Sequence, residues 1–235
     1  MDGQTAVVTG ASRGIGAAVA RRFAAEGARV VVCAREQDGL DRVVADIEAA
    51  SGDDGGEVEA MRADVRDEFD VERLMETAAR GSDGGIDVVV ASAGVFHGTP
   101  GESPLADDAY SAFDDSFRTN ARGVFAAVKE ALPHLADDAR VLVPSGNVAR
   151  EAKPGYGAYA VSKAAAEAVV RQFAAELDHT VGVVDPGVVA TDLTGGQGRD
   201  PEDAADLVHW AATEAPPAEF DGGVVGLTEF RKATA

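Results

Sequence analysis

The stretch TAVVTGASRGIG, residues 5–16, decides the fold of this 235-residue chain. Residues 5–9 are a short β-branched run that predicts a strand, and residues 16–26 have the spacing of an amphipathic helix. Gly27 follows at a position typical of a helix C-cap. A strand, a glycine-rich turn and a helix in this order form the opening unit of an α/β domain.

The rest of the chain repeats this alternation of strand-like and helix-like segments. The further predicted strands are 29–33, 57–61, 86–91, 140–143, 181–184 and 224–227, and the further predicted helices are 39–50, 68–80, 106–132, 156–177 and 201–212. Several strands are unbroken apolar runs, which is typical of a parallel sheet covered by helices on both faces. We predict one α/β domain over residues 1–235, a Rossmann-type doubly wound parallel sheet of about seven strands with helices on both faces. The glycine-rich acidic stretches 51–56 and 81–85 are predicted to be surface turns within it.

The composition narrows the class of partner. The chain carries 41 acidic and 21 basic residues, a net charge of −20, so neither nucleic acid nor an anionic membrane is an expected partner. The single cysteine, Cys33, cannot form an intrachain disulfide, and the four histidines lack ligand-like spacing, so no metal is predicted. Without a run of about 18 apolar residues or an N-terminal signal pattern, we expect a cytoplasmic protein.

The acidic surface has a particular chemistry. The acidic residues are 24 Asp and 17 Glu, whereas the basic residues are 17 Arg and 4 Lys. Short-chain acids and few lysines suit a protein kept soluble in concentrated salt, where long-range charge repulsion is screened. We therefore expect a salt-adapted, halophilic protein, with an ordinary acidic protein as the alternative.

The turn between the first strand and the first helix has the pattern G-x-x-x-G-x-G. Its predicted contact residues are Gly10, Ser12, Arg13, Gly14, Ile15 and Gly16. Glycines allow a tight turn and let backbone N–H groups approach a pyrophosphate at the helix N-terminus. The turn therefore predicts a dinucleotide site, although helix packing alone can also place glycines at a helix start.

Tyr159 and Lys163 lie four residues apart on a predicted helix and therefore share one of its faces. A nearby ammonium group favours a phenolate, so Lys163 is expected to lower the pKa of Tyr159. Such a tyrosine can act as a general acid or base near neutral pH. The alternative is a surface tyrosine beside a solvated lysine.

Further motifs follow in the order and spacing of a known family. They are Ala63-Asp64-Val65, Asn120 within FRTNARGVF, the YAVSK of residues 159–163, and Asp185-Pro186-Gly187 followed by Thr191. Together with the glycine turn TGASRGIG, they resemble the TGxxxGxG, YxxSK and PGxxxT motifs of the short-chain dehydrogenase/reductase family. The resemblance covers nearly the whole chain.

This resemblance implies hydride transfer between a nicotinamide and the carbonyl/alcohol pair of a small molecule. Tyr159 would give or take the hydroxyl proton, Lys163 would hydrogen-bond the nicotinamide ribose, and Asn120 would hold a water linking Lys163 to solvent. The further implied cofactor contacts are Asp64 and Val65 at the adenine, Ser92, Ala93 and Gly94 after the fourth strand, and Pro186, Gly187, Val189 and Thr191 near the nicotinamide.

The chain departs from the family at two places. The family's serine, which bonds the substrate oxygen, lies 13 positions before the tyrosine, where this chain has Gly146. We expect a one-residue shift of the loop to let Ser145 act as the catalytic serine; the alternative is that Ser145 only ends the strand and catalysis is impaired. Residues 91–94 are A-S-A-G where the family commonly has N-N-A-G, so Ser92 can still hydrogen-bond, whereas Ala91 cannot replace an asparagine side chain.

The end of the second strand bears on the choice of cofactor. Relatives that prefer NAD carry an Asp where this chain has Ala34, and Arg35 follows it. Arg35 and Arg13 favour NADP(H) over NAD(H), because guanidinium groups pair well with a 2′-phosphate. Glu36 is the rival feature, since a carboxylate there would accept from a free 2′-hydroxyl.

The remaining features concern assembly and substrate. Phe113, Phe117 and Phe125 lie on a helix that often forms a subunit interface in this family, so a homodimer or homotetramer is expected, although core packing gives the same pattern.

The short glycine-rich loop after Thr191 predicts an open site for a small or exposed carbonyl. We interpret the chain as an NADP(H)-dependent oxidoreductase; the alternative, motivated by Gly146, is a regulatory dinucleotide-binding protein without turnover.

Overall fold

Seven parallel strands form one sheet in the computed structural model, which describes residues 1–50, 56–82 and 84–235. The strands are β1 (Thr5–Thr9), β2 (Arg29–Ala34), β3 (Val58–Arg62), β4 (Ile86–Ala91), β5 (Leu135–Pro144), β6 (Thr180–Asp185) and β7 (Val224–Gly226). The helices are α1 (Gly14–Ala25), α2 (Gln37–Ala50), α3 (Glu68–Arg80), α4 (Tyr110–Phe117), α5 (Gly123–Ala131), α6 (Gly157–Glu176), α7 (Pro201–Thr213), α8 (Pro217–Phe220) and α9 (Leu227–Ala233).

The strand order is β3-β2-β1-β4-β5-β6-β7. The chain builds outward from β1 to β3 and then crosses back to place β4 on the other side of β1. Val8 of β1 consequently pairs with Val32 of β2 on one side and Val90 of β4 on the other. In such a sheet a ligand crevice opens at the carboxyl ends of the strands where the order reverses, here between β1 and β4.

Apolar cores lie on both faces of the sheet. Phe23 of α1 is fully buried in the core on one face, and Leu74 of α3 is fully buried in the core on the other. Val7 and Val8 of β1 point into opposite cores because successive strand residues face opposite sides. This double burial explains the unbroken apolar runs, and it confirms the predicted doubly wound Rossmann-type sheet of seven strands.

The prediction of one long helix over residues 106–132 is wrong. The helix is interrupted between α4 and α5 by a π-helical turn at Arg118–Arg122. A π-helical turn adds a residue to the helical repeat, and such turns are frequent at functional sites. Here the turn carries Asn120, whose buried side chain bonds the backbone of Val95 just after β4.

Further segments differ from the sequence prediction, among them the short helix α8, which was not predicted. Strand β5 begins at Leu135, whereas the sequence predicts a start at residue 140. The first half was missed because the exposed residues Asp137 and Asp138 interrupt the apolar pattern there. Helix α9 was not predicted. It is capped at Gly226 by the carboxylate of Glu229, which accepts the backbone N–H at 3.0 Å.

The predicted surface turns fall partly beyond what can be described. Residues 51–55 and Asp83 lie outside the described residues, whereas Gly56 donates its N–H to the Ala24 carbonyl at 3.0 Å. Within the described ranges, every helix is too short or too polar to cross a membrane.

Candidate active site

The glycine turn brings the carboxyl ends of β1 and β4 into close contact. Gly10 and Gly14 have φ angles of 68° and 57°, which side chains rarely adopt. A Cβ on Gly10 would lie 2.6 Å from the Ala93 Cα, and one on Gly16 would lie 2.6 Å from the Gly10 carbonyl oxygen. The turn can therefore form only with glycine at these positions.

Helix α1 starts in this turn with its backbone donors uncapped. Arg13 is the N-cap residue and makes no capping bond with its side chain, and the first turn of α1 contains no acidic residue. The first N–H groups of a helix lack internal partners and carry partial positive charge. An anionic group such as a pyrophosphate fits this position.

A pocket opens beside the turn at the switch point of the sheet. It is lined by predicted contact residues, namely Gly10, Ser12, Arg13, Arg35, Asp64, Val65, Ala93 and Gly94. Cys33, Ala34, Glu36, Ala63, Val95 and Thr119 complete the lining. The structure therefore assembles in one pocket residues that come from the ends of β1, β2, β3 and β4.

Thr119 in this pocket was missed by sequence analysis. Among the described residues, its hydroxyl is the one buried side-chain oxygen or nitrogen that lacks a hydrogen-bond partner. A buried hydroxyl without a partner is costly unless a ligand or water satisfies it. The pocket thus fits a polar dinucleotide, and nothing in the sequence around Thr119 distinguishes it from an ordinary helical threonine.

Two charged residues in the wall of this pocket, Asp64 and Arg13, form ion pairs with residues outside it. Asp64 accepts a 2.6 Å bond from Nη2 of Arg66, and the single Nε hydrogen of Arg66 is shared between its two oxygens at 3.0 Å. Burial raises the pKa of Asp64, but the bonds from Arg66 outweigh burial and hold that pKa below its usual value. Nε of Arg13 lies 3.2 Å from the exposed carboxylate of Asp192, so Arg13 reaches over the turn toward the loop after Thr191.

A second cavity continues from the first at Gly94, which lines both. Tyr159 and Lys163 of α6 line it, as their spacing on one helix face predicts. The other predicted residues in its wall are Ile15, Ser92, Ser145, Pro186, Gly187, Val189 and Thr191. Phe96, Asn147, Lys153 and Gln197 also line it and were not predicted, because the loops that carry them show no pattern in the sequence.

The electrostatics of Tyr159 and Lys163 correct one expectation. Burial, with a smaller contribution from Tyr156, raises the pKa of Tyr159 to about 12, so the expected lowering by Lys163 is wrong for the protein by itself. Burial also lowers the pKa of Lys163 to about 8, against the opposing charges of Glu167 and Asp185. Nζ of Lys163 donates to the Pro144 carbonyl at 2.7 Å. Because its pKa is about 12, Tyr159 is a protonated phenol at neutral pH.

Asn120 lies behind this cavity rather than in its wall. Its side chain is 1% exposed, accepts the N–H of Val95 at 2.8 Å, and donates to the Val95 carbonyl and to Ser162 Oγ at 2.9 Å. These bonds tie the segment after β4 to α6, one residue before Lys163. The structure describes no direct bond between Asn120 and Lys163.

Ser145 reaches the cavity, but its hydroxyl is engaged elsewhere. Ser145 Oγ donates to Oε1 of Glu167 at 2.7 Å, and Nη1 of Arg150 donates to the same oxygen at 2.6 Å. Arg150 also pairs with Asp185, whose other oxygen accepts the Gly187 N–H at 2.9 Å. This polar cluster, Ser145–Arg150–Glu167–Asp185, joins the ends of β5 and β6 to α6.

The segment after β4 compensates for the missing asparagine at Ala91. The hydroxyl of Ser92 donates to the Thr9 carbonyl of β1, and the N–H of Ala93 donates to Thr9 Oγ1 at 3.2 Å. The two strand ends that frame the dinucleotide pocket are therefore bonded to each other without an amide at Ala91, which is itself buried in the core.

Comparison with known proteins agrees with this geometry. The family profile described as short chain dehydrogenase matches residues 4–202. An NADPH-dependent aldehyde reductase-like protein, chloroplastic, of Arabidopsis thaliana is 34% identical over 227 residues, 91% of this chain and 81% of the relative. A versicolorin reductase of Emericella nidulans is 35% identical over 198 residues, 82% of this chain and 72% of the relative.

A solved structure gives the same result in three dimensions. The short chain dehydrogenase from Burkholderia cenocepacia J2315, solved in complex with NADP, has a TM-score of 0.83, 30% identity and 96% coverage of both chains. The predicted family is thereby confirmed: the chain belongs to the short-chain dehydrogenase/reductase family and is an oxidoreductase that binds a nicotinamide cofactor.

Proposed function

We propose that this oxidoreductase uses NADPH to reduce a ketone or aldehyde, with Tyr159 as the general acid. The observation that carries the proposal is the placement of Tyr159 and Lys163 in a cavity that joins the dinucleotide pocket at Gly94. The relatives named as reductases support the direction of the reaction. A phenol whose pKa is about 12 is protonated at neutral pH and therefore carries the proton that reduction consumes.

The proposed mechanism assigns proton handling to α6. When bound, a reduced nicotinamide supplies the hydride that is added to the carbonyl carbon. Tyr159 donates its phenolic proton to the carbonyl oxygen. The Lys163 ammonium, held by the Pro144 carbonyl in the wall of the same cavity, is available to the nicotinamide ribose. The water relay through Asn120 stays a prediction, and both hydrogens of its amide are engaged by Val95 and Ser162.

The proposed preference for NADP(H) rests on the charges at the pocket wall. Arg13 and Arg35 both line the pocket at the end of β2, where Ala34 leaves no carboxylate for a free 2′-hydroxyl. Glu36 lines the same wall and is the group that would favour NAD(H). Arg13 forms an exposed ion pair with Asp192, and such pairs are weak enough for a phosphate to replace the carboxylate.

A panel of aldehydes, ketones and alcohols, assayed with NADPH and NADH in low and molar salt, tests the proposed activity. We expect carbonyl reduction that is faster with NADPH at equal subsaturating cofactor concentration. The alternative is a dinucleotide-binding protein without turnover, which Gly146 at the usual serine position favours. Tight NADPH binding, measured by fluorescence titration, without turnover of any compound would support that alternative and contradict the proposal.

The proposal includes a homodimer or homotetramer assembled through the α4–α5 region. Tyr110 at the start of α4 is 92% exposed, and Phe125 on α5 is 43% exposed while stacking on Phe173 at 5.8 Å. Phe113 and Phe117 stack on each other at 4.7 Å in the same region. Light scattering of the purified protein, with Phe125→Asp as the variant expected to lower the mass to that of a monomer, tests this assembly.

We also propose a cytoplasmic location. The buried, unpaired Cys33 supports a reducing compartment, because a free thiol is more typical of proteins that do not meet an oxidising environment. Burial raises the pKa of this thiol to about 12, so it is unreactive. Fractionation of the source cells with an antibody against the chain tests the location.

A further inference from the structure

Reduction of a carbonyl group builds negative charge on the carbonyl oxygen, and hydrogen-bond donors stabilise this charge. Enzymes commonly aim a second hydrogen-bond donor at that atom in the transition state. Tyr159 supplies the first donor under the proposed function. The source of the second is open, because Gly146 has no side chain to donate.

Ser145 is poorly placed to be that donor. Its hydroxyl proton is used by Glu167, which is 1% exposed and shares the bonded oxygen with Arg150. Turning the hydroxyl toward a substrate would remove a hydrogen bond from a buried carboxylate. Such a group is costly to leave unsatisfied.

Asn147, by contrast, is an exposed residue that lines the cavity, and its amide oxygen is engaged by a neighbouring lysine. Nζ of Lys153 donates to Oδ1 of Asn147 at 2.6 Å. Since an ammonium group can only donate, this bond identifies the oxygen of the amide and leaves Nδ2 on the other side. Nδ2 donates one long hydrogen bond, of 3.3 Å, to the exposed carboxylate of Glu151, and its second hydrogen remains for a substrate.

Lys153 also lines the cavity, and its ammonium has no stronger acidic partner than Glu151, at 3.8 Å, among the ion pairs of the described residues. Its shortest polar bond is the one to Asn147. Lys153 is therefore suited to fix the amide rather than to serve a surface ion-pair network.

We propose that Nδ2 of Asn147 supplies the second hydrogen bond to the substrate's carbonyl oxygen and that Lys153 is the positioning residue that holds the amide. This inference rests on the proposed reductase function. It assigns the role that the family gives to a serine at position 146 to the next residue of the chain.

The first test measures kcat, KM and NADPH affinity for variants of Asn147. Asn147→Ala should lower kcat by about 100-fold, the effect typical of removing one such donor, while the Kd for NADPH stays within about 3-fold. Asn147→Asp has the same shape but only accepts hydrogen bonds, so it should lose at least as much. It also decides the question if Asn147→Ala fails to fold.

The second test restores the donor from the neighbouring position. A Cβ on Gly146 would have no heavy atom within 4 Å, and its φ of −160° is open to any residue, so a serine fits there. Gly146→Ser in the Asn147→Ala background should recover about 10-fold or more of the lost kcat. Gly146→Ala in the same background is the matched control and should recover nothing.

The third test addresses Lys153 through a double-mutant cycle. Lys153→Met should lower kcat by about 10-fold in the wild type and have no further effect on Asn147→Ala, because its effect passes through that amide. Lys153→Arg, which can still donate to Oδ1, should retain most of the activity. Independent, additive effects of the two substitutions would overturn the positioning role.

The outcomes separate this inference from the proposed function. If the wild type binds NADPH but reduces no carbonyl, both fail. If the wild type reduces a carbonyl and Asn147→Asp keeps its kcat, only this inference fails. A loss of about 100-fold for Ser145→Ala with an active Asn147→Ala would give the role to Ser145 instead.

Discussion

The dinucleotide pocket and the substrate cavity meet at Gly94 but are lined by different kinds of groups. The first is bounded on one side by the glycine turn, in which Gly10 and Gly16 are packed so closely that a Cβ would collide with backbone atoms 2.6 Å away. The second is made of side chains from separate loops, such as Asn147, Lys153 and Gln197. The glycine turn therefore tolerates few substitutions, whereas a wall of side chains can exchange one donor for another.

The largest expected effect is a loss of kcat, without a loss of NADPH affinity, when a residue of the cavity is changed. Tyr159→Phe removes the proposed proton donor, so kcat should fall by about 1000-fold or more while NADPH affinity changes less than about 3-fold. Stopped-flow turnover and fluorescence titration measure the two quantities. An equal loss of both would mean that the two regions are not separable as described.

The next largest expected effect concerns the glycine turn beside the dinucleotide pocket. Gly16→Val should weaken NADPH binding by about 100-fold or more, since its side chain would overlap the Gly10 carbonyl and Ser92 Oγ. Gly84→Ala, where a Cβ would meet no heavy atom within 4 Å, is the control and should bind as the wild type does. Wild-type affinity of Gly16→Val would contradict the assignment of the pocket.

A smaller effect is expected where side chains enter the dinucleotide pocket. Replacing both Arg13 and Arg35 with alanine should raise the Kd for NADPH about 30-fold and change that for NADH less than about 3-fold. Isothermal titration with both cofactors measures this. Comparable losses for both cofactors would show that the two arginines do not recognise a 2′-phosphate.

The pH dependence of reduction reports the electrostatics of the cavity. The proposed mechanism needs a protonated Tyr159 and a charged Lys163. The Tyr159 pKa of about 12 keeps the phenol protonated, whereas the Lys163 pKa of about 8 lets the ammonium lose its charge in mildly alkaline solution. The value of kcat/KM should therefore be level in mildly acidic solution and fall as the pH rises past about 8. Thermal melting at each pH is the control for unfolding, and a level profile to pH of about 10 would contradict the assignment.

The smallest effect concerns the surface shared by both regions. With a net charge of −20, the melting temperature should rise by about 5 °C or more between low salt and about 2 M KCl as repulsion is screened. Replacing the adjacent exposed Asp137 and Asp138 with asparagine should reduce this dependence slightly. A melting temperature that is constant or falls with salt would contradict the halophilic interpretation.

The contrast between the two regions also explains what the sequence could predict. Buried strands such as β1 and β2 and the glycine turn after Thr9 have patterns fixed by local geometry, so the sheet and the turn were predicted correctly. The π-helical turn at Asn120 was not, because the residues around it show no pattern that marks one, and its side chain bonds Val95, 25 residues away in the chain. Asn147 and Lys153 were missed as well, since only the folded loop brings them to the wall of the cavity that Tyr159 also lines.

The polar cluster at the ends of β5 and β6 has a consequence for protein engineering. Residues joined in one hydrogen-bonded network do not vary independently, because each substitution changes the value of the next. A library that varies only the loop with Ser145 and Arg150 will therefore leave the buried Glu167 carboxylate without its hydrogen-bond donors in most of its members. Codon positions 145, 150, 167 and 185 should be varied together if new substrate preferences are to be selected without loss of expression.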